Sequence, residues 1–484
     1  MSKQEVLSTA QETLPFTGAE WARTPESVQG FVLSIIHRLQ ELETEVIQLK
    51  EQLQQNSQNS SAPPSSDPPS VTKSKQENGA TKRKVGGQPG HSRHERKLLP
   101  IEEVKEVIPV KPVQCRKCGN QLSGEDSSPR RHQVTEIPPI QAETTEYQLH
   151  TLTCPHCQTS TCAPLPVGVP TGAFGPRLQA MVALLGGRYH LSKRESCQLM
   201  DDFFQVELSL GTISTLENKT SEALAQPVAE ARSFVQKQAA LHLDETGWRE
   251  ANRRAWLWVA ASQWVVVFLI QRCRGSQVAK QLLGTTSTSF VHSDRWSAYN
   301  WIPNHLRQLC WAHLKRDFQA FAERDGPSAS IGTQLLAQMN LIFDAWHAFR
   351  AASLSRTELQ QKVQPAKQRV AELLRLGLDS GHSKTAGTCS DILKREVALW
   401  TFLDHDGVQP TNNFAEQLIR PAVLWRKISF GTQSSSGSRF VECLMTVVSS
   451  LKLQKRNTLA FLVDACHAAN AHSTPPSLLP LDST

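Results

Sequence analysis

The sequence predicts a multidomain α+β chain, on three observations. An apolar seam at heptad spacing stands near the start, two C-x2-C pairs follow, and a strand-rich block gives way to long helical stretches and a final segment dense in amides and basic residues. The 484 residues suffice for about three domains and several apolar cores, so disulfides are not needed for stability. A net charge of +7 permits a nucleic-acid partner without requiring one. Eleven cysteines, an odd number over a long chain, argue against a secreted disulfide scaffold. The opening residues MSKQEVLSTAQETLPF carry no basic stretch followed by an apolar core, so no signal peptide is expected. The run AWLWVAASQWVVVFLI is too short for a membrane span and is broken by Ser262 and Gln263. A soluble, cytoplasmic protein without a membrane partner is expected.

The seam consists of Val32, Ile35, Leu39, Leu42, Val46, Leu49 and Leu53, alternating three and four apart. That spacing predicts a coiled-coil helix over 28–55 that pairs two protomers, or an amphipathic helix packed on its own chain. The Ser/Pro/Asn stretch QQNSQNSSAPPSSDPPS has nothing to bury, and the basic tract KSKQENGATKRKVGGQPGHSRHERK has too few apolar residues for a core. Residues 56–100 are therefore expected to be a disordered basic linker. It is either plainly solvated or an arm that orders on a nucleic-acid backbone through Lys82, Arg83 and Lys84.

Cys115 and Cys118 in CRKC, with Cys154 and Cys157 in CPHC, supply four thiolates, enough to close a tetrahedral structural Zn2+ site in a module over 101–165. The gap between the pairs is longer than usual and holds VTEIPPIQAETTEYQLHTLT, which a ribbon-type module could use as a hairpin. Cys162 is a spare ligand, and redox use of either pair is the alternative. Residues 171–237 read as helical. A break around ELSLGT makes a helix-turn-helix possible, with a recognition helix starting near Ser209–Gly211.

From residue 238 the texture changes to strands: AALHLDETGW, RRAWLWVAAS and WVVVFLIQR, a helix near 275–283, then TSFVHSDRWSAY and LRQLCWAHL. Three strands, a helix and two more strands are similar to the mixed sheet of a ribonuclease H-like α/β domain. Its first part would span 238–325, an all-helical insertion 326–402 and its second part 403–470, with a disordered tail at 471–484. Leu241 and Leu243 share one strand face with Glu245, and Asp244 points to the other; Phe290, His292 and Asp294 share a face. Both aspartates fall near strand ends, where open α/β sheets hold ligands. His242 and His292, two residues before each, are a coincidence or support for the aspartates, and read better as structural or core histidines.

Asn412, Glu416 and Arg420 recur every four residues, with Asn413 three before Glu416, so one helix face carries them all. Thr411 or Asn412 is the expected N-cap, and Pro421 is expected to end or kink the helix. Such a helix could bring Glu416 to Asp244 and Asp294. Three carboxylates repel unless cations sit among them, and two Mg2+ (or Mn2+) ions roughly 4 Å apart would suit them. Asn412, Asn413, Arg420, Arg426, Lys427 and Arg439 would then meet a nucleic-acid backbone. Asp404 and Asp406 in LDHDG are rivals for the third position, though that stretch reads as a turn.

Taken together, NSSAPPSSD, GGQPGH, the paired C-x2-C knuckles, LDETGW, HSDRWSAY, QLCWAHLKRDF and PTNNFAEQLIRPAVLWRKISFGTQS resemble a bacterial DDE-type transposase of the insertion sequence 66 family. The resemblance covers nearly the whole chain and implies that the three catalytic acids are Asp244, Asp294 and Glu416. It implies metal-dependent cutting of double-stranded DNA at terminal inverted repeats, joining to target DNA, and action on the bacterial nucleoid. It also implies a homo-oligomer formed through the zipper and small accessory proteins. Gln417 stands where the family often has arginine, which weakens one expected backbone contact. Two alternatives are a DNA-binding regulator that no longer cuts and a metal-dependent nuclease that does not join.

Overall fold

The computed structural model describes residues 21–54, 96–284 and 288–480. In chain order, α1 (Glu26–Gln54) precedes β1 (Thr151–Thr153) and β2 (Ser160–Cys162). Four helices follow: α2 (Pro176–Gly187), α3 (Lys193–Phe204), α4 (Leu210–Ala223) and α5 (Ala225–Val235). Then come β3 (Ala240–Glu250), β4 (Arg253–Ala261), β5 (Val266–Gln271), α6 (Ser276–Leu283), β6 (Phe290–Ser293) and β7 (Arg307–Leu309). The remaining helices are α7 (Trp311–Ala322), α8 (Pro327–Arg350), α9 (Arg356–Leu378), α10 (Ser383–Leu393), α11 (Thr401–Asp404), α12 (Asn413–Ser429), α13 (Ser435–Leu453) and α14 (Thr458–Asn470). Contacts divide the chain into two units: Met1–Lys73, Pro166–His190 and Thr215–Thr484 form one, Ser74–Leu165 and Leu191–Ser214 the other.

In the smaller unit the two C-x2-C stretches fold into matching turns. Cys115 N–H donates to Asn120 O and Gly119 N–H to Cys115 O; Cys154 N–H donates to Thr159 O and Gln158 N–H to Cys154 O. Gly119 and Gln158 close these turns with φ of 75° and 61°. One expectation is corrected. The hairpin does not form across 134–153: residues 134–150 have no regular structure, and β1 and β2 instead pair around the second turn. Val134, Ile137 and Ile140 stay exposed, so no apolar face exists to hold a longer ribbon. Among the described residues, Cys115, Cys118, Cys154 and Cys157 are free cysteines, one C-x2-C pair in each turn. The helix-turn-helix region does take helical form. α3 starts on a Ser192–Glu195 capping box and stops at left-handed Gln205, and Ser209 Oγ accepts Thr212 N–H at the start of α4.

In the larger unit, the seam residues Ile35, Leu39, Leu42 and Val46 of α1 are 42–54% exposed, so this stretch is not buried on its own chain. The five-stranded sheet runs β5-β4-β3-β6-β7. β3, β4 and β5 are antiparallel neighbours, while β6 is parallel to β3 and β7 to β6. β3 and β4 are joined by Ala251 and Asn252, both left-handed at φ 48° and 59°, as a two-residue hairpin requires. β5 reads VVFLIQ and is buried for five of its six residues, because α13 packs along it. Three α13 side chains spaced by one helical turn bond alternate N–H groups of this strand. Val266 donates to Ser450 Oγ at 2.9 Å, Phe268 to Thr446 Oγ1 at 3.0 Å and Ile270 to Glu442 Oε1 at 2.6 Å. The outer edge of the sheet is thereby closed to further strands. Burial pushes the Glu442 carboxyl up to about 7, against the pull of the Ile270 N–H.

Between β7 and α12 the described elements are helical, and they build a second core from Leu314, Phe318, Leu335, Ile342, Leu359, Val363 and Leu373. α8 crosses α7 closely at Gly332, where a Cβ would lie 2.3 Å from Ala322 N. The tail, expected to be disordered from 471, is instead held as far as residue 480. Leu478 is fully buried, Ser477 Oγ donates to Glu230, and Arg456 donates to the carbonyls of Ser477 and Leu479. One buried leucine anchors this Pro/Ser-rich segment. Gly332→Ala is expected to cost about 1–3 kcal/mol, since the atoms it meets are backbone and cannot turn aside. A lowered thermal unfolding midpoint of the full-length protein would show it.

Candidate active site

Asp244 lies on β3 and Asp294 one residue past β6, its parallel neighbour. The register pairs His242 with His292, so each aspartate stands two residues beyond the same row at the C-terminal end of the pairing. Backbone N–H groups orient both: Glu245 N–H donates to Asp244 Oδ1 and Trp296 N–H to Asp294 Oδ1, each at 2.9 Å. Glu416 occupies the first turn of α12.

The histidines explain how α12 reaches the sheet. Their rings stack with centroids 3.8 Å apart. His292 Nδ1 lies 2.9 Å from Leu241 O, and Gln409 N–H donates to His292 Nε2 at 2.9 Å. These partners fix a neutral ring protonated at Nδ1. Asn412 Nδ2 donates to Leu243 O at 2.7 Å, which turns its Oδ1 toward His242 Nδ1 at 3.0 Å. Burial lowers His242 to about 4, opposed by the Asn412 bond; burial also lowers His292 well below the usual imidazole range, and the neighbouring His242 adds to the effect. Both are structural histidines, as expected.

Asn412 is not the expected DNA contact: it is 1% exposed and wholly committed to β3. Its amide is consequently not spent on capping α12. Pro421 does not end the helix either; α12 runs on to Ser429. Ala415, Ile419, Ala422 and Trp425 form a buried stripe through the proline, and the residue four before it, Gln417, faces solvent, where water can take its carbonyl. Of the other basic and amide positions, Asn413, Arg420, Lys427 and Arg439 are exposed. Arg426 is half-buried and donates to Thr246 Oγ1 at 3.2 Å and to Gly247 O. Lys82, Arg83 and Lys84 lie outside the described residues. The rivals Asp404 and Asp406 are engaged elsewhere, accepting from Gln360 and Arg356 of α9.

The three acids act on one another electrostatically. Burial, then the charges of Glu245, Asp294 and Glu416, push the Asp244 carboxyl well above the usual carboxylate range. Burial also raises Glu416, with the Asp294 charge adding and Arg316 opposing. A fourth carboxylate, Glu245, expected only to share a face with leucines, joins them. It is raised by burial and by Asp294, and is held by Tyr299 OH and by Arg274 Nε at 3.0 Å. Arg274 in turn stacks on Trp256 and Trp296 at 4.5 and 4.0 Å.

His313 carries no signal of its own in the sequence, although it sits in QLCWAHLKRDF, three residues after Cys310. Its Nδ1 is 3.4 Å from Glu416 Oε1, and both atoms are buried without a hydrogen-bond partner. Burial and Arg316 push His313 down to about 4, so this contact is not an ion pair at neutral pH. Cys310 Sγ belongs to the same cluster, within 4.8 Å. Burial raises its thiol to about 12, and its sulfur accepts Asn412 N–H at 3.1 Å, so Cys310 serves as a packed thiol. Among the described residues the ligand atoms of Cys310, His313 and Glu416 group within 4.8 Å, whereas Asp244 and Asp294 act on Glu416 and on each other through charge alone. The orphaned buried Glu416 oxygen among these charges fits a hard divalent cation.

Residues 171–439, which span all three acids, match the family model described as Transposase IS66 family. Residues 21–97 match a family of unknown function, DUF6444. The chain is also 27% identical over 407 residues to Uncharacterized protein y4qI of Sinorhizobium fredii (strain NBRC 101917 / NGR234), covering 75% of this chain and 71% of that protein. Among the described residues, no helix is long and apolar enough to cross a membrane.

Two outcomes are expected. Carboxyls raised on folding bind protons more tightly in the native state, so the stability they contribute is full below the ordinary carboxylate range and is lost as pH rises through their raised values. Without divalent ions, Asp244→Asn should therefore raise the melting temperature at neutral pH and flatten its fall with pH, as thermal melts across pH would read. Asn412→Ala should cost about 1–3 kcal/mol by leaving buried partners unpaired, with DNA affinity unchanged in a binding titration.

Proposed function

The chain belongs to the IS66 transposase family, and on that premise we propose that it cuts DNA at the terminal inverted repeats of an insertion sequence and joins the freed ends to target DNA. The observation that supports this reading is that the charges of Asp294 and Glu416 raise the Asp244 carboxyl, although the three come from β3, the residue after β6 and α12. The sheet order supports it: three antiparallel strands are followed by two parallel ones on the far side of β3, as the ribonuclease H-like reading expects.

In this reading Asp244, Asp294 and Glu416 would hold Mg2+ or Mn2+. Such ions supply Lewis-acid polarisation of the scissile phosphate and lower the cost of activating water and a 3′-hydroxyl. The chain's own residues position the parts. The backbone N–H groups of Glu245 and Trp296 aim the two aspartates, and Asn412 fixes the start of α12 so that Glu416 faces them. The exposed Asn413, Arg420, Lys427 and Arg439 meet DNA phosphates, which sets register without reading sequence. Helices α3 and α4 contribute recognition of the element ends. The exposed seam of α1 pairs with a second copy, each seam burying the other, and small accessory proteins complete the assembly.

The test is a cleavage-and-joining assay with Mg2+ on DNA carrying the element ends. Asp244→Asn, Asp294→Asn and Glu416→Gln should each cut joined product by about 10²–10⁴-fold, the worth of several kcal/mol of transition-state stabilisation, while DNA binding survives. Binding without cutting by the unaltered chain, with accessory proteins supplied, would overturn the proposal. Arg420→Ala should weaken DNA binding and reduce the salt dependence of affinity by about one phosphate contact.

A further inference from the structure

His313 and Glu416 stand in the first turns of α7 and α12, two helices tied together at their starts. Trp311 N–H donates to Pro410 O at 3.0 Å, and Asn412 N–H donates to Cys310 Sγ at 3.1 Å. The facing atoms, His313 Nδ1 and Glu416 Oε1, are therefore not a chance meeting of flexible side chains. They lie 3.4 Å apart, both buried, and neither has a hydrogen-bond partner. A buried polar atom left unpaired costs about 1–3 kcal/mol, and two facing each other call for a shared partner. Two ligand atoms bound about 2.1 Å from one ion lie roughly 3 Å apart, close to the separation seen here.

We propose that His313 is a nitrogen ligand to a divalent cation shared with Glu416, giving the catalytic centre one mixed nitrogen–oxygen position that selects a first-row transition ion such as Mn2+ over Mg2+. The inference rests on the metal-dependent reading above and adds a ligand to its three acids. Imidazole favours transition ions, whereas an all-carboxylate site suits Mg2+ equally well. Cys310 is kept out of the ligand set because its sulfur is buried and accepts the Asn412 N–H. Its part is to hold that backbone in place.

The experiment uses the full-length protein without DNA. Mn2+ binding is followed by loss of the free-ion electron paramagnetic resonance signal, with Mg2+ as competitor. The unaltered chain should bind Mn2+ about tenfold or more tightly than Mg2+. His313→Ala should lose about tenfold or more of the Mn2+ affinity while Mg2+ binding changes little, so the preference collapses. Glu416→Gln should weaken both ions, and Cys310→Ser, which keeps an acceptor for Asn412, should weaken neither. Thermal melts confirm that the variants fold. Should His313→Ala fold poorly, pulsed resonance on the unaltered protein decides: nitrogen coupling to bound Mn2+ is expected, and its absence overturns the proposal. Unchanged Mn2+ affinity in His313→Ala also overturns it, as does a thiolate-to-metal absorption band with Co2+. If Mn2+ binding depends on His313 while the joining assay fails, the metal position stands and the strand-transfer reading falls. If products are joined while Mn2+ binding is indifferent to His313, strand transfer stands and the nitrogen ligand falls.

Discussion

Two imidazole rings stacked 3.8 Å apart between adjacent parallel strands set the geometry on which the candidate centre depends. Each ring lies two residues before an aspartate, and each bonds the segment that leads into α12, at Gln409 or Asn412. A displacement of either strand, or of the helix start, would break bonds between groups with little access to water. Those groups would then stay unpaired, and that penalty gives the arrangement its rigidity. The acids are consequently placed by neutral neighbours rather than by their own attraction. This is necessary because the acids repel one another, and Asp244 shows it most strongly. A neutral scaffold beneath a self-repelling cluster is how a site can await cations without collapsing or drifting apart.

The sheet around this centre is secured at its outer edge by a different device. β5 ends the antiparallel side, and α13 satisfies three of its N–H groups through Glu442, Thr446 and Ser450. A helix thus does what another strand would do, while its opposite face joins the main apolar core through Phe440, Leu444 and Val447. Burial holds Glu442 near neutrality in its titration, which is the cost of using a carboxylate as a backbone acceptor in so dry a place.

What is legible in the amino-acid sequence is local. Alternation places Asp244 on a strand and Asp294 at a strand end, and four-residue spacing places Glu416 on a helix, because each pattern reports its own backbone period. Asn412 eludes such reasoning because its partners, His242 and Leu243, lie 170 and 169 residues away, and no periodicity records such a bond. Pro421 eludes it for the converse reason: its local penalty is real, but the buried stripe ending in Trp425 outweighs it. A single histidine at a helix start carries no pattern, so only the orphaned oxygen opposite gives His313 meaning. The long ribbon hairpin is absent because cysteine spacing alone cannot fold it without an apolar face.

The bond from Trp311 N–H to Pro410 O has a further consequence. The polypeptide leaves the sheet at β7, builds a helical annex with its own core, and returns to the place it left. To the sheet the excursion is a loop closed at this neck and held further by bonds from Arg295 to Asp317 and Asp391, from Gln308 to Leu399 O and from Thr401 to Arg307 O. Holding such a neck shut grows harder only as the logarithm of the loop's length, about 0.6 kcal/mol per doubling. Parts of the annex clear of these bonds and of His313 could therefore lengthen at little entropic cost to the sheet.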